Sequence, residues 1–432
     1  MPSRLRMTNR RCTTLLCLRM TTRRLYISDL PDAILGDIVS RLPAKGGART
    51  QVLSSRWRHA WRSAPLNLDL RLHPIPLANV PRVLSSHPGP GRRFSTLDGW
   101  LRSPALDNLQ ELEFRHDVPD RDRGNPNPPL PLLPVSALRF SCTLRVARFW
   151  SCSFPDRNDV HMPVLEELHL SHCVVSESSL NALLAGCSVL QRLRLIYNDG
   201  CTRVRIASPT LRSVEVGRGS GELSLQELVT EDAPCLEILR HVTPITHEKK
   251  MDILVVSAPK LVVLGHIYDR FPRIEIGTTV FKGVHVVGNT MGVVCSVKVL
   301  SLSNKSLSLG VILNFMRCFP CLEELNLNTL FKGKKNEWDD NKYRSLIGTG
   351  GICLKKIVLR NYKGNESHVN FVRFFVLNAR AIESIKLVFP YRNVTKAWIK
   401  GQRSQLQFEK RASKSAQLDI VPSDSLRKEA TA

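Results

Sequence analysis

Pro163-Val164-Leu165-Glu166-Glu167-Leu168-His169-Leu170 is the stretch from which the fold can be read. Its apolar frame, L-x-x-L-x-L, recurs in ten units. They begin at Leu109 (LQELEF), Leu144 (LRVARF), Leu165 (LEELHL), Leu190 (LQRLRL), Leu211 (LRSVEV), Leu236 (LEILRH), Leu261 (LVVLGH), Val297 (VKVLSL), Leu322 (LEELNL) and Leu354 (LKKIVL). The spacings are 35, 21, 25, 21, 25, 25, 36, 25 and 32 residues. At 43% hydrophobic residues three fixed apolar positions recur by chance about 34 times, so this frame alone decides nothing. The rarer signal is proline. Pro163, Pro209, Pro234, Pro259 and Pro320 each stand two residues before the leading Leu, five cases among ten units. With 26 Pro in 432 residues, chance predicts about 0.6.

This is the pattern of leucine-rich repeats. Each unit supplies one short strand whose alternate residues point inward, and Pro just before it stops the preceding turn from continuing as a helix. One repeat cannot bury its apolar face alone, so the stack supplies the stability and the strand face offers a long binding surface. The returning segments Ser176–Ala185 and Val311–Phe319 carry helical stripes, whereas the other returns read as irregular. Three insertions interrupt the array: Val118–Ser136, which is Pro-rich and reads as an extended loop, Arg270–Met291, and the charged Phe331–Gly351.

Outward from the repeats, Ser28–Pro43 (SDLPDAILGDIVSRLP) places Ile34, Leu35, Ile38 and Val39 on one helical stripe, with Pro31 at the first turn. Lys45-Gly46-Gly47 reads as a break, after which Ala48–Arg62 resumes as two short helices carrying Val52, Leu53, Trp57 and Trp61. Three such helices are too few to bury both Trp and the Leu/Ile stripe internally, which predicts a partner over what is left. The composition, with 23% charged residues, excludes general disorder and a collagen-like fibre. The apolar stretches are too short to span a bilayer. Twelve scattered Cys suit a reducing compartment. Cys318-Phe-Pro-Cys321 and the cluster His161, His169, His172 and Cys173 lack the companions of a metal site, and the reading of metal ligands is none. No P-loop, HExxH or GxSxG motif is present, which fits a binding protein rather than an enzyme.

Leu30–Trp61 (LPDAILGDIVSRLPAKGGARTQVLSSRWRHAW) resembles an F-box of the plant form, with its LPD-x-I/L-L, LP and R-T-x-VLS-x-RWR-x-x-W elements. Cys353–Phe389 resembles the FBD region at the C-terminus of plant F-box/leucine-rich-repeat proteins, read as strand, helix, strand with Val369, Val372, Phe375, Val376 and Ala379 on the helical face. The resemblance implies an α/β architecture: a small N-terminal three-helix F-box, a leucine-rich-repeat solenoid with irregular repeats, and an FBD-like C-terminal cap. The expected divisions are a basic disordered tail over 1–27, the F-box over 28–66, repeats over 67–352, the FBD-like region over 353–390 and a mobile basic tail over 391–432.

The same resemblance implies the substrate-recognition subunit of an SCF-type cullin–RING E3 ubiquitin ligase. Its partners would be a Skp adaptor, through it a cullin, and an unknown protein substrate. Carried over residue by residue, the adaptor-facing set is Leu30, Pro31, Ile34, Leu35, Ile38, Leu42, Pro43, Val52, Leu53 and Trp57, with packing of the helices against each other as the alternative role for some of them. Gly46-Gly47 departs from the Asp-Ala or Glu-Ala usual there. The expected compartment is nucleus or cytoplasm. The Arg-rich residues 1–28 would also suit a mitochondrial transit peptide, but a basic tail is the reading preferred.

The second reading takes the net charge of +24 as a nucleic-acid-binding solenoid. Its weakness is placement. Residues 1–62 hold 13 Lys/Arg against three Asp and the tail nine against four acids, leaving +9 over the residues between. Arg192, Arg194 and Arg212 belong to the densest basic set of the repeats. Arg192 and Arg194 occupy polar slots of LQRLRL. They are either a solvated strand face or the lining of a target site for an acidic segment. No cofactor is expected, with a phosphorylated small molecule at these arginines as the alternative.

Overall fold

Asp32–Arg41 forms helix α1 directly after Pro31, whose missing N–H falls at the one place where a helix has no use for it. In this computed structural model the described residues are 3–8, 30–42, 44–64, 68–69, 79, 97–116, 130–219, 221–242, 251–268, 271, 273–283, 285–287, 293–303, 307–329, 353–390 and 395–423. They fall into two units, Met1–Thr202 with Gly221–Ser224, and Arg203–Ser220 with Leu225–Ala432.

In the first unit α1 is followed by α2 (Ala44–Thr50) and α3 (Ser55–Ser63). The glycine pair does not break the chain, as the sequence reading expected, but lies inside α2. The reason is steric. Gly47 is buried, and a Cβ there would lie 2.4 Å from Cζ3 of Trp61, whose ring packs onto the helix backbone. Ser54 caps α3 by accepting the Trp57 N–H. Leu35, Val39, Trp57, Ala60 and Trp61 close into a small core. Both tryptophans are buried, the glycine letting one ring sit on backbone, while Ile34 of the apolar stripe stays exposed, as expected of helices too few to bury everything.

The sheet of this unit contains β1 (Ser3–Thr8), β2 (Leu68–Asp69), β3 (Glu111–His116), β4 (Val146–Trp150), β5 (Glu167–Ser171) and β6 (Arg192–Asn198). From β3 to β6 the pairing is parallel, and β1 lies antiparallel between β2 and β3. Ser3–Thr8, expected within a disordered tail, is thus a strand. Helices α4 (Leu97–Leu101) and α5 (Glu177–Ala185) belong to the returning chain. Ser176 caps α5 and Gly186 ends it, as the stripe and the glycine predict.

The second unit runs β7 (Arg203–Ala207), β8 (Ser213–Arg218), β9 (Glu227–Asp232), β10 (Ile238–His241), β11 (Asp252–Val255), β12 (Val263–Tyr268), β13 (Arg273–Ile276), β14 (Thr279–Lys282), β15 (His285–Val287), β16 (Val299–Ser303), α6 (Leu309–Met316), β17 (Glu324–Asn328), β18 (Lys356–Arg360), α7 (Glu366–Asn378), β19 (Ser384–Phe389), α8 (Lys396–Gln405) and β20 (Gln417–Pro422). One sheet orders β8-β10-β12-β16-β17-β18-β19-β20, all parallel. A second orders β7-β9-β11-β13-β14-β15. The returns read as irregular are strands here. Val204/Ile206, Leu228/Thr230 and Ile253/Val255 alternate inward in each of three successive returns. Arg270–Met291, left open by sequence, holds β13–β15 as antiparallel hairpins.

All ten predicted units are strands of these parallel sheets, and each leading residue is at most 3% exposed. Burying one such Leu is worth about 2 kcal/mol. The prolines do more than stop a helix. Leu165, Leu236, Leu261 and Leu322 each donate their N–H to the carbonyl three residues back, at Met162, Ala233, Ala258 and Phe319, in distances of 3.0–3.1 Å. The proline therefore occupies the second position of a tight turn, where its fixed φ is already correct.

The FBD-like region is β18–α7–β19 as expected, with Val369, Val372, Phe375, Val376 and Ala379 buried. The tail is not mobile over its described part. Residues 395–423 form α8 and β20, the latter parallel to β19 from Ser384↔Gln417 to Phe389↔Pro422. Leu406, Phe408, Ala416 and Leu418 are buried there, Tyr362 donates its hydroxyl to Gln402 Oε1 at 2.6 Å, and Arg403 Nη2 donates to the Leu418 carbonyl at 2.7 Å. Phe331–Gly351 and most of Val118–Ser136 lie outside the described residues.

Candidate functional site

The ten residues proposed to face an adaptor separate by burial. Ile34 is 46%, Val52 86% and Leu53 63% exposed, and Pro31 is exposed beside half-buried Leu30, Ile38 and Leu42. Leu35 and Trp57 are 1% and 8% exposed and pack the helices against each other, so they are corrected from surface residues to core. Pro43 lies outside the described residues. Sequence reasoning missed Arg56. Its Nε and Nη2 donate to Asp32 Oδ1 at 2.9 and 2.7 Å, and Nη2 also donates to the Leu30 carbonyl at 2.7 Å. One guanidinium thus ties α3 to the chain entering α1 and fixes Leu30–Asp32 relative to Val52 and Leu53. Only its planar fork, which the RWR triplet provides, does this.

On the sheets, residues in register on adjacent parallel strands lie about 4.8 Å apart, so equal charges in one row repel unless glutamates alternate with the bases. They do alternate. In the first unit Glu167 Oε1 accepts from Arg148 Nε at 2.7 Å and Oε2 from Arg192 Nε at 3.0 Å, while Arg145 pairs with Glu166. In the second, Arg212 pairs with Glu237 at 2.6 Å, Arg240 with Glu215 at 3.3 Å, and Arg203 with Glu227. Glu323 holds Lys298 and Lys355 at 3.0 and 2.8 Å, and Lys356 reaches Glu324 at 3.2 Å. Burial raises the Glu167 pKa, but Arg148 and then Arg192 outweigh it and hold the carboxyl below its ordinary value.

Of the arginines read as target-binding, Arg192 and Arg194 share strand β6 of the first unit and Arg212 stands just before β8 in the second, already paired. Arg148 and His169 join Arg194 in one row, Arg148↔His169↔Arg194. Trp150 lies next to that row, edge-on to the His169 ring with centroids 4.5 Å apart. Burial first, then Arg194 and Arg148, lower the His169 pKa to about 4, so the imidazole is neutral at physiological pH. Sequence reasoning missed Arg148, Trp150 and His169. The available signal was that Arg148 and His169 stand in the same polar slot of their units as Arg194 does in the next, while Trp150 follows its unit directly.

Other reactive side chains go elsewhere. Cys318 is fully buried while Cys321 is exposed, so the CxxC does not present two thiols together. Burial raises the Cys318 pKa. His169 meets Trp150, whereas His172, at φ +53°, turns towards Tyr197 with ring centroids 5.1 Å apart. No helix among the described residues is long and apolar enough to cross a membrane.

Three helices with an apolar exposed corner, leading to stacked leucine-rich strands closed by strand-helix-strand, define an F-box protein with leucine-rich repeats. Comparison with known families agrees segment by segment: the F-box domain matches residues 27–69, the repeats of FBD-associated F-box protein At5g56370 match 97–327, and FBD matches 352–387. The repeat match covers more than half of the chain, and the chain belongs to the FBD-associated F-box family with leucine-rich repeats. Relatives in Arabidopsis thaliana include the F-box/LRR-repeat protein At5g02910, 27% identical over 50% of this chain and 48% of its own length. The FBD-associated F-box protein At1g66310 is 25% identical over 71% of this chain and 70% of its own. The putative FBD-associated F-box protein At3g50710 is 30% identical over 50% and 55%. The chain spans about half the length of the first of these relatives.

Proposed function

We propose that the protein is the substrate-recognition subunit of an SCF-type cullin–RING ubiquitin ligase, acting in the nucleus or cytoplasm. Its F-box docks on a Skp adaptor, and through it on a cullin, while the repeats hold a target protein. The observation that supports this reading is the exposure of Ile34, Val52 and Leu53 on a helical unit that buries Leu35, Val39, Trp57 and Trp61. Large apolar side chains left exposed on a small helical core signal a docking surface. The protein itself makes and breaks no bond in this reading. It raises the effective concentration of the target's lysines near a charged ubiquitin carrier. The nucleic-acid alternative is weakened by the glutamates set against the repeat arginines and lysines.

The test is co-purification of the full chain with a plant Skp adaptor in about 0.5 M salt, where contacts between surface charges are screened and apolar docking persists. Wild type is expected to bind. The double variant Val52→Glu, Leu53→Glu changes only exposed positions, so it should keep the wild-type melting temperature while losing the adaptor. A folded wild type that fails to bind, or a double variant that still binds, refutes the reading.

A further inference from the structure

We propose that the face of strands β4–β6 binds an acidic peptide segment, a carboxylate side chain being gripped by Arg148 and Arg192 while Glu167 holds the two guanidiniums in place. The proposal rests on the reading that the repeats hold a protein target and names the chemistry of that target. It begins with which nitrogens are used. Both arginines bind Glu167 through Nε, Arg148 at 2.7 Å and Arg192 at 3.0 Å. Among the described residues neither has a hydrogen-bond partner for its Nη atoms. Both side chains reach solvent, at 26% and 54% exposure. A guanidinium held by Nε keeps its terminal N–H fork in a fixed plane, and a planar fork matches a carboxylate.

Because both Nε atoms bind the one Glu167 carboxylate, the two guanidiniums are neighbours on this face. Charge agrees with the class of ligand. On this face of β3–β6 the registers align Arg115, Arg148, Arg192 and Arg194 with Glu111, Glu113 and Glu167, four cations against three anions. The neighbouring Trp150 and His169 rings, 4.5 Å apart, add an apolar wall for an adjacent side chain of the same peptide. Arg212 takes no part, since its guanidinium is spent on Glu237.

The experiment is fluorescence anisotropy on the full chain without adaptor, so that a failure of adaptor docking leaves it untouched. The probes are a fluorescein-labelled eight-residue peptide of alternating Glu and Leu, and its twin with Gln for every Glu. Wild type should bind the Glu peptide at least about tenfold more tightly than the Gln peptide, the scale of a charge-assisted hydrogen-bonded pair. Arg192→Gln, at an exposed position, and Arg148→Gln should each abolish that preference while melting like wild type. Glu167→Gln can accept from only one Nε, and should weaken binding although it adds a positive charge to the site. Equal binding of the two peptides, an unchanged preference in Arg192→Gln, or tighter binding in Glu167→Gln would overturn the proposal, the last by showing a diffuse basic surface rather than an oriented pair.

Discussion

Gly47 is where a single hydrogen atom in place of a methyl group decides local structure. Read from sequence, two glycines in a short helix are only a cost, about 1 kcal/mol relative to better helix formers. In the structure the Trp61 ring occupies the space that a Cβ would need, 2.4 Å from Cζ3. Gly47→Ala should therefore destabilise the F-box by about 1–2 kcal/mol, overpacking outweighing the gain in helix propensity. Thermal denaturation checks this, and Gly46→Ala, at a half-buried neighbouring position, is the comparison expected to be neutral or stabilising. Leu35 and Trp57 teach a related lesson. Their place in the motif says that they matter, and only burial says that they matter as core.

At the scale of elements the repeats and their two helical returns were legible and the returns that form strands were not. A leading Leu, a turn-setting Pro and alternate apolar residues are local signals, and all ten predicted strands form. The second sheet escaped because Val204/Ile206 or Leu228/Thr230 are short alternations that become strands only by pairing with a neighbour some 25 residues away. The C-terminal element escaped for a different reason. Nine Lys/Arg over residues 391–432 suggest a solvated tail, while its few apolar residues, Leu406, Phe408 and Leu418 among them, are those that bury. Deleting residues 391–432 should strip β20 from β19 and expose the partners of Leu406 and Phe408. A melting temperature lowered by several degrees, or aggregation, is the expected result, whereas a removable tail would leave it unchanged.

For the whole molecule, stability should fall with acid. His169 and His368 have pKa values lowered to about 4 and His241 to about 3, burial being the first cause in each. His368 shows why. It is fully buried, its Nδ1 accepts the Lys363 N–H at 3.0 Å, its ring lies beside that of Tyr362, and the Lys363 charge adds to the effect of burial. The unfolded chain takes up these protons near pH 6.5 and the folded chain only near pH 3–4. The stability they allow is complete above about pH 6.5 and declines as pH falls through that window. At pH 5 each costs up to about 2 kcal/mol. Urea denaturation at pH 7 and pH 5 checks this: the midpoint should drop at pH 5, and His368→Leu, which cannot take up the proton, should shrink the drop.

The amino-acid sequence by itself determined the order of parts, the positions of α1 and α3, all ten repeat strands and the strand-helix-strand near the C-terminus. Those depend on periodicity and turn chemistry over a few residues. Tertiary structure alone decided which F-box residues remain exposed and why Gly47 is tolerated. It also decided that the basic residues of the repeats are set against glutamates a repeat away, and that Glu167 holds two arginines at once. The charge pairs are relations between side chains 19 to 32 positions apart, brought within bonding distance only when parallel strands stack in register.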